Sequence, residues 1–576
     1  MNFFIVMMNT AKLRSLLIDL YSNRAGVTTF EQLIQILQKH NNLFSTSRTG
    51  GLNQRDTILI TYPDQVQQAE GHPLAVLAKF CEDYLMDTIT GIHILPFYPW
   101  TSDDGFSVVD YRQVDTNYGD WDDIARLGHH FRLMFDAVIN HVSISSNWFQ
   151  SMLAGDAYYR DYFLLPKESD DLTRVVRPRA LPLLTSYQTA EGEKKIWTTF
   201  SADQVDLNYA NPNVLLEILD LLLFYVTKGA ELIRLDAIAY LWKEPGTSCI
   251  NLPPTHRIIQ LFRAMLDEVA PNVMLITETN VPHVDNISYF GDGTNEAQMV
   301  YNFSLPPLVL HAFQTGSAET LSRWADGLEL PTDKVTFFNF LASHDGIGLN
   351  PLRGILPEAE IEDVVSGLQS HGGLVSFKTD VDGTQRPYEL NINYFDALND
   401  PAAEESLDLQ IDRFVTAHAI LFAMKGVPGI YFHSLVGSRS WLEGVKITGQ
   451  NRTVNRKKFG WDELNGAIED PNTRQARVFF RLRHLLKIRR RHAAFHPHGL
   501  QKIIDCAPEV FGVLRISPNE SDTVLCLQNV SGRQVSLNGF PIPDERFQNP
   551  RNLINGKFIE DKELISIEPY QTLWLA

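Results

Sequence analysis

Glu231-Leu-Ile-Arg-Leu-Asp-Ala-Ile238 sets charged residues into an apolar, β-branched run. Arg234 and Asp236 are two apart, so on a strand both side chains face one side and Leu235 faces the other. Seven further runs share this character, short and rich in β-branched and aromatic residues, each ending in polar residues ahead of helix-like sequence. They are Thr57–Tyr62, Ile92–Phe97, Arg132–Val138, Val273–Thr277, Gln298–Phe303, Val335–Ala342 and Val427–Phe432. Eight buried strands alternating with helices predict an α/β protein built on a (β/α)8 TIM barrel.

The spacing predicts what is attached to that barrel. About ninety residues separate the third and fourth runs, and a similar length the seventh and eighth, too long for plain helices. We therefore expect loop-inserted subdomains over about 142–205 and 346–410, covering the barrel mouth. Residues 1–55 read as an N-terminal helical extension, because Lys12–Leu20 and Phe30–Leu37 carry apolar positions at helical spacing. The barrel occupies 56–494. Residues 495–576 read as a C-terminal antiparallel β domain, with alternating segments such as Thr523–Leu527 and Leu564–Ile567 between Gly, Pro and Asn.

Composition narrows the partners. Of 576 residues, 50 are basic and 69 acidic, a net charge of −19 that repels nucleic acid and anionic membrane at long range. An anionic ligand must then be held locally, by individual arginines. No apolar stretch approaches the ~20 residues needed to span a bilayer. The opening Met-Asn-Phe-Phe-Ile-Val-Met-Met is short and lacks a basic leader, so it reads as helix-capping sequence and the expected location is cytoplasmic. Cys81, Cys249, Cys506 and Cys526 show no metal or redox spacing and are expected as reduced thiols. Nothing in the sequence signals an oligomeric state.

The chemistry sits at strand ends. Asp236 beside the permanent cation Arg234 is expected to stay ionised and nucleophilic, although an ordinary structural ion pair is the competing explanation. Glu278 follows the run Val273–Thr277 directly and can meet Asp236 across the barrel mouth. Two such carboxyls suit retaining glycosyl transfer, one attacking the anomeric carbon and the other protonating the leaving oxygen. Burial and the Asp236 charge favour a protonated Glu278, hence the acid; a first-turn helix carboxylate is its alternative. His141, His344 and Asp345 end two more runs and are types that hold sugar hydroxyls or, alternatively, metal.

Asp-Ala-Val-Ile-Asn-His141, Ile-Arg-Leu-Asp-Ala-Ile-Ala-Tyr240, Ile-Thr-Glu-Thr-Asn280 and Ala-Ser-His-Asp-Gly346 resemble the four ordered regions of the α-amylase superfamily. The resemblance implies Asp236 as nucleophile, Glu278 as acid/base and Asp345 as transition-state stabiliser, with His141, Arg234 and His344 lining a glucose subsite. It extends over most of the chain to the sucrose phosphorylase subfamily, through Leu-Pro-Phe-Tyr-Pro-Trp100, Ser-Asp-Asp-Gly-Phe106 and Gly-Val-Pro-Gly-Ile-Tyr-Phe432. On that subfamily's pattern Asp103 and Arg456 grip glucosyl hydroxyls and Phe106 forms an aromatic wall. The chain departs from it in a longer N-terminal segment and in Thr453, which stands where an Asp is expected; both count against fructose as acceptor. The loops 177–184, 348–354 and 386–389 look closest to the glucosylglycerate phosphorylase branch.

The resemblance thus implies phosphorolysis of a glucosylglycerate, with glucosylglycerol and sucrose as alternative substrates. The partners would be inorganic phosphate and a small glucoside. Phosphate and glycerate are both oxyanions, so Arg177, Arg179 and Arg353 are candidates to bind them, each with surface ion pairing as its alternative. Glu389 would repel a carboxylate acceptor but accept from neutral glycerol. A hydrolase, a transglycosidase and a non-catalytic carbohydrate-binding protein remain as other readings. No nucleotide or redox cofactor and no metal is implied, since carboxylates suffice for the chemistry.

Overall fold

The computed structural model describes residues 10–40, 51–179, 181–379, 384–538, 547, 549–559 and 564–576. The helix-capping reading of Met1–Met8 lies outside them. All eight expected runs form strands, each shorter than its run: β1 (Ile58–Thr61), β2 (Gly91–Ile94), β3 (Arg132–Ala137), β4 (Ala230–Leu235), β5 (Met274–Thr277), β6 (Met299–Tyr301), β7 (Thr336–Asn339) and β8 (Val427–Tyr431). They close into a barrel, β8 returning to pair in parallel with β1. Buried on both faces, such strands need apolar residues at nearly every position, and that is why the runs are continuous.

Helices cover the barrel. α1 (Thr10–Lys39) consists of two arms broken at Ser22, whose φ of 71° is left-handed. Leu13, Leu16, Leu17, Leu33 and Leu37 are its buried leucines. It packs on α2 (Pro212–Thr227) and α3 (Pro253–Val269), outside the barrel. Further along the chain, α4 (Leu407–Ala423) and α5 (Arg474–Arg491) pack together. No helix among the described residues is long and apolar enough to cross a membrane. The four cysteines are unpaired.

Three small sheets decorate the mouth. His141–Ser143 pairs with Gln204–Asp206, Leu184–Thr189 with Gly192–Trp197, and Gln385–Asn391 lies between Ile347–Gly348 and Leu374–Thr379. The C-terminal antiparallel sheet runs β9 (Leu500–Ile503), β10 (Val510–Ile516), β11 (Thr523–Asn529) and β12 (Thr572–Leu575) in that order.

Two buried arginines with no carboxylate ion pair among the described residues cross-link distant parts of the chain. Arg489 donates to the carbonyls of Gln54, Asp56, Phe422, Gly426 and Phe495. Arg515, on β10, donates to those of Leu500, Ala423 and His496, so the C-terminal sheet is bonded to the end of α4. A guanidinium with five donors can satisfy several orphan carbonyls at a crowded junction.

Candidate active site

The polar ends of the strands converge at the C-terminal face of the barrel, where the connecting loops can reach them. The ladder continues one bond past the strands: the Asp236 amide donates to the Ala137 carbonyl and the Glu278 amide to that of Leu235, both at 3.2 Å. This carries Asp236 and Glu278 to the lip beside each other. Arg234 Nη1 donates to Asp236 Oδ1 at 2.8 Å, and its Nη2 lies 3.8 Å from Glu278 Oε2. Arg234 is fixed in turn by buried Asp136, whose other oxygen lies 2.7 Å from His93 Nε2. Ala237, directly after Asp236, has φ 48° and ψ 33°, a left-handed conformation that costs of order 1 kcal/mol or more for a residue with a Cβ. That turn aims its N–H at Glu278 Oε2, 3.1 Å away.

A cavity opens above these groups, lined by Asp103, Phe106, His141, Asp236, Glu278, His344 and Asp345. Phe106 stacks on His344 with ring centroids 4.7 Å apart and planes 2° from parallel. His141 Nε2 lies 2.9 Å from the Phe106 carbonyl oxygen. Arg456 lies beneath, donating from Nε to the His344 carbonyl at 2.9 Å and pairing with Asp104 rather than with Asp103. His344 Nδ1 and Arg456 Nη2 are buried without a hydrogen-bond partner among the described residues. Such unsatisfied buried groups are what polyhydroxyl ligands supply with partners.

The anion candidates divide. Arg179 lines the cavity and donates to Asp103 Oδ2 at 2.8 Å. Arg177 and Arg353 do not: Arg177 bonds the Leu181 carbonyl in its own loop, and Arg353 Nη1 lies 3.5 Å from Glu358. Of the two, Arg353 faces a carboxylate, whereas the partner of Arg177 is a neutral carbonyl. Glu389 lines the cavity and accepts from Nε and Nη2 of Arg452 at 3.0 and 2.6 Å, so a cation stands beside the carboxylate expected to repel an anionic acceptor. Thr453 turns away, its hydroxyl 2.8 Å from that of Thr448.

The sequence reading missed Arg452, which lies 2.6 Å from Asp345 Oδ1. It shares the motif Asn451–Lys458 with Arg456, four residues on, and that helical spacing was the available signal. Asp136, Asn280, Tyr240 and Tyr388 were missed too; the last three line the cavity.

Electrostatics split the three acids. Burial raises Asp236 well above the usual carboxylate range; Arg234 opposes this, while Glu278, Asp136 and Asp345 add to it. Glu278 is raised as well, first by burial. Arg234 is thus the group that favours an ionised Asp236, as expected, and the surrounding carboxyls and burial work against it. Asp345 goes the other way, because Arg452 foremost among its cationic neighbours outweighs burial. Burial pushes His344 down to about 3, so its ring is neutral near pH 7. Among the described residues no three His, Cys, Asp or Glu side chains gather as a metal set.

A parallel barrel whose mouth sets two carboxyls on one guanidinium, beside a neutral His and a third carboxylate, has the layout of the α-amylase class. The family model described as "Alpha amylase, catalytic domain" matches residues 78–346. A glucosylglycerate phosphorylase from Spirochaeta thermophila is 45% identical over 98% of each chain, and one from Allomeiothermus silvanus is 49% identical over 92% of each. The crystal structure of sucrose 6F-phosphate phosphorylase from Thermoanaerobacter thermosaccharolyticum matches with a TM-score of 0.73 at 25% identity, covering 89% of this chain and 99% of that one. The chain belongs to the family of the glucosylglycerate phosphorylases, with an α-amylase catalytic-domain match over residues 78–346.

Proposed function

We propose that the chain is a retaining glycoside phosphorylase, a hexosyltransferase that reversibly converts 2-O-α-D-glucosyl-D-glycerate and phosphate to α-D-glucose 1-phosphate and D-glycerate. The observation that carries the mechanism is the single Arg234 guanidinium serving Asp236 at 2.8 Å and approaching Glu278 at 3.8 Å. The closer contact leaves the proton of the pair on Glu278. Asp236 then attacks the anomeric carbon while Glu278 gives its proton to the departing glycerate oxygen, forming a β-glucosyl enzyme. A phosphate oxygen next attacks the same carbon, its proton passes to Glu278, and the bond to Asp236 breaks. Two inversions give net retention.

Asp345, ionised beside Arg452, stabilises the oxocarbenium-like transition state. His141, His344, Asp103 and Arg456 hold the glucosyl hydroxyls, and Phe106 walls the ring. Arg179 is a candidate for the phosphate. The acceptor assignment rests on the named relatives. We place the reaction in the cytoplasm, where four unpaired thiols stay reduced.

The test incubates the protein with α-glucose 1-phosphate and, separately, D-glycerate, glycerol and fructose, following phosphate release above an acceptor-free control. Glycerate-dependent release is expected. A preference for glycerol or fructose would move the chain to a sister specificity, and acceptor-independent release would make it a hydrolase.

A further inference from the structure

Three segments far apart in sequence meet at Arg452. Its Nε and Nη2 grip Glu389, and its Nη1 holds Asp345 at 2.6 Å. The Glu389 side chain is 3% exposed, whereas that of Arg452 is 26% exposed and lines the cavity. Glu389 reaches this position because Gly346 has no side chain: a Cβ there would lie 2.5 Å from Glu389 Cγ. Of the five N–H donors of a guanidinium, these contacts use three and leave two.

One other arginine, Arg179, lines the cavity among the described residues. Arg234 and Arg456 are buried under the cavity, and Arg179 is paired with Asp103. Arg452 lines the same cavity as Glu278, past which an acceptor must approach. We propose that Arg452 is the specificity-determining residue for the acceptor, the cation that meets an oxyanion acceptor, and that Glu389 is its positioning residue. The proposal rests on the phosphorylase reading above and deepens it: the acceptor subsite selects for a carboxylate or phosphate group over an uncharged alcohol. Glu389 would exclude anions if it stood alone; paired, it fixes the fork that admits them.

The experiment loads the full chain from α-glucosyl fluoride, whose departure needs no anion site, and partitions the glucosyl enzyme among D-glycerate, phosphate, glycerol and water. Transfer to water, measured in every variant, normalises for any loss at Asp345. In Arg452→Gln the glycerate-to-glycerol and phosphate-to-glycerol ratios should fall at least ~30-fold, mostly through KM. Arg452→Lys should recover part of the loss, because it restores charge without the fork. Glu389→Gln should change the ratios less than Arg452→Gln, and adding it to Arg452→Gln should make them no worse, since it removes the stranded carboxylate.

Ratios within about threefold of wild type in Arg452→Gln would overturn the proposal. If the wild-type protein accepts phosphate but refuses glycerate, the glycerate reading falls, and the phosphate-to-glycerol ratio decides the role of Arg452 alone.

Discussion

Arg234 donates to Asp236 at 2.8 Å and is itself clamped by Asp136, so the carboxyl proposed as nucleophile is oriented by a cation that cannot turn. Replacing Asp236 by Asn keeps the shape and removes the attacking oxygen anion. We expect Asp236→Asn to accumulate no glucosyl enzyme by mass spectrometry and to lose on the order of 10⁴-fold in kcat. Full activity on the natural substrate would remove Asp236 from the role.

Glu278 is assigned to proton transfer, so its loss should depend on the leaving group. Glu278→Gln should slow turnover of glucosylglycerate by about 10²–10⁴-fold, while a donor with an acidic leaving group, such as glucosyl fluoride, forms the glucosyl enzyme almost normally. Equal losses on both donors would exclude the assignment.

The raised Glu278 also predicts a pH dependence of stability. A carboxyl whose folded value exceeds its unfolded one contributes stability that is fully present below the unfolded value, ~4.3, and lost as pH rises through the folded value. Between mildly acid and neutral pH, Glu278→Gln should therefore melt progressively higher relative to wild type. Melting curves across that range check this; a difference that shrinks with rising pH would contradict it.

Much of this was legible in the sequence, for physical reasons. A strand buried on both faces has to be written as an unbroken apolar run, so all eight barrel strands were found, and charges closing such runs stood out. Asp136 was passed over because it lies inside a run rather than at its end. Arg452 was passed over because its partners, Asp345 and Glu389, arrive from separate segments, and no local pattern encodes that meeting. Arg177 and Arg353 have the chemistry of anion ligands, but local partners claim them, which composition cannot reveal. Around Asp236 the sequence shows the one cation that favours its ionisation and hides the three carboxyl groups that oppose it.

The stacked pair Phe106–His344 lines the cavity proposed to hold the sugar. Phe106→Ala removes the face against which the imidazole is held, and an aromatic pair of this kind is worth about 0.5–1.5 kcal/mol. Donor kcat/KM should drop by roughly 2–12-fold with the glucosyl enzyme still formed. Unaltered donor kinetics would show that the ring is only core.

Arg489 predicts a purely structural defect. Arg489→Met strands five carbonyls in a dry junction, at a cost on the order of 3–5 kcal/mol. Denaturant unfolding should show a lower midpoint, while the folded fraction keeps its acceptor ratios. A midpoint like that of wild type would mean that solvent replaces the lost donors.

Arg515 gives the C-terminal sheet a different standing from a domain joined by a tether. Its guanidinium sits at a seam, bonded at once to a sheet carbonyl, to the last turn of a barrel helix and to the segment between them. Pulling the sheet away would break the bond to Ala423, the one carbonyl of the three that belongs to a barrel helix, and leave a buried charge short of an acceptor. A cut after the barrel would open that seam to water, so we expect the sheet to add to the barrel's stability instead of hanging from it.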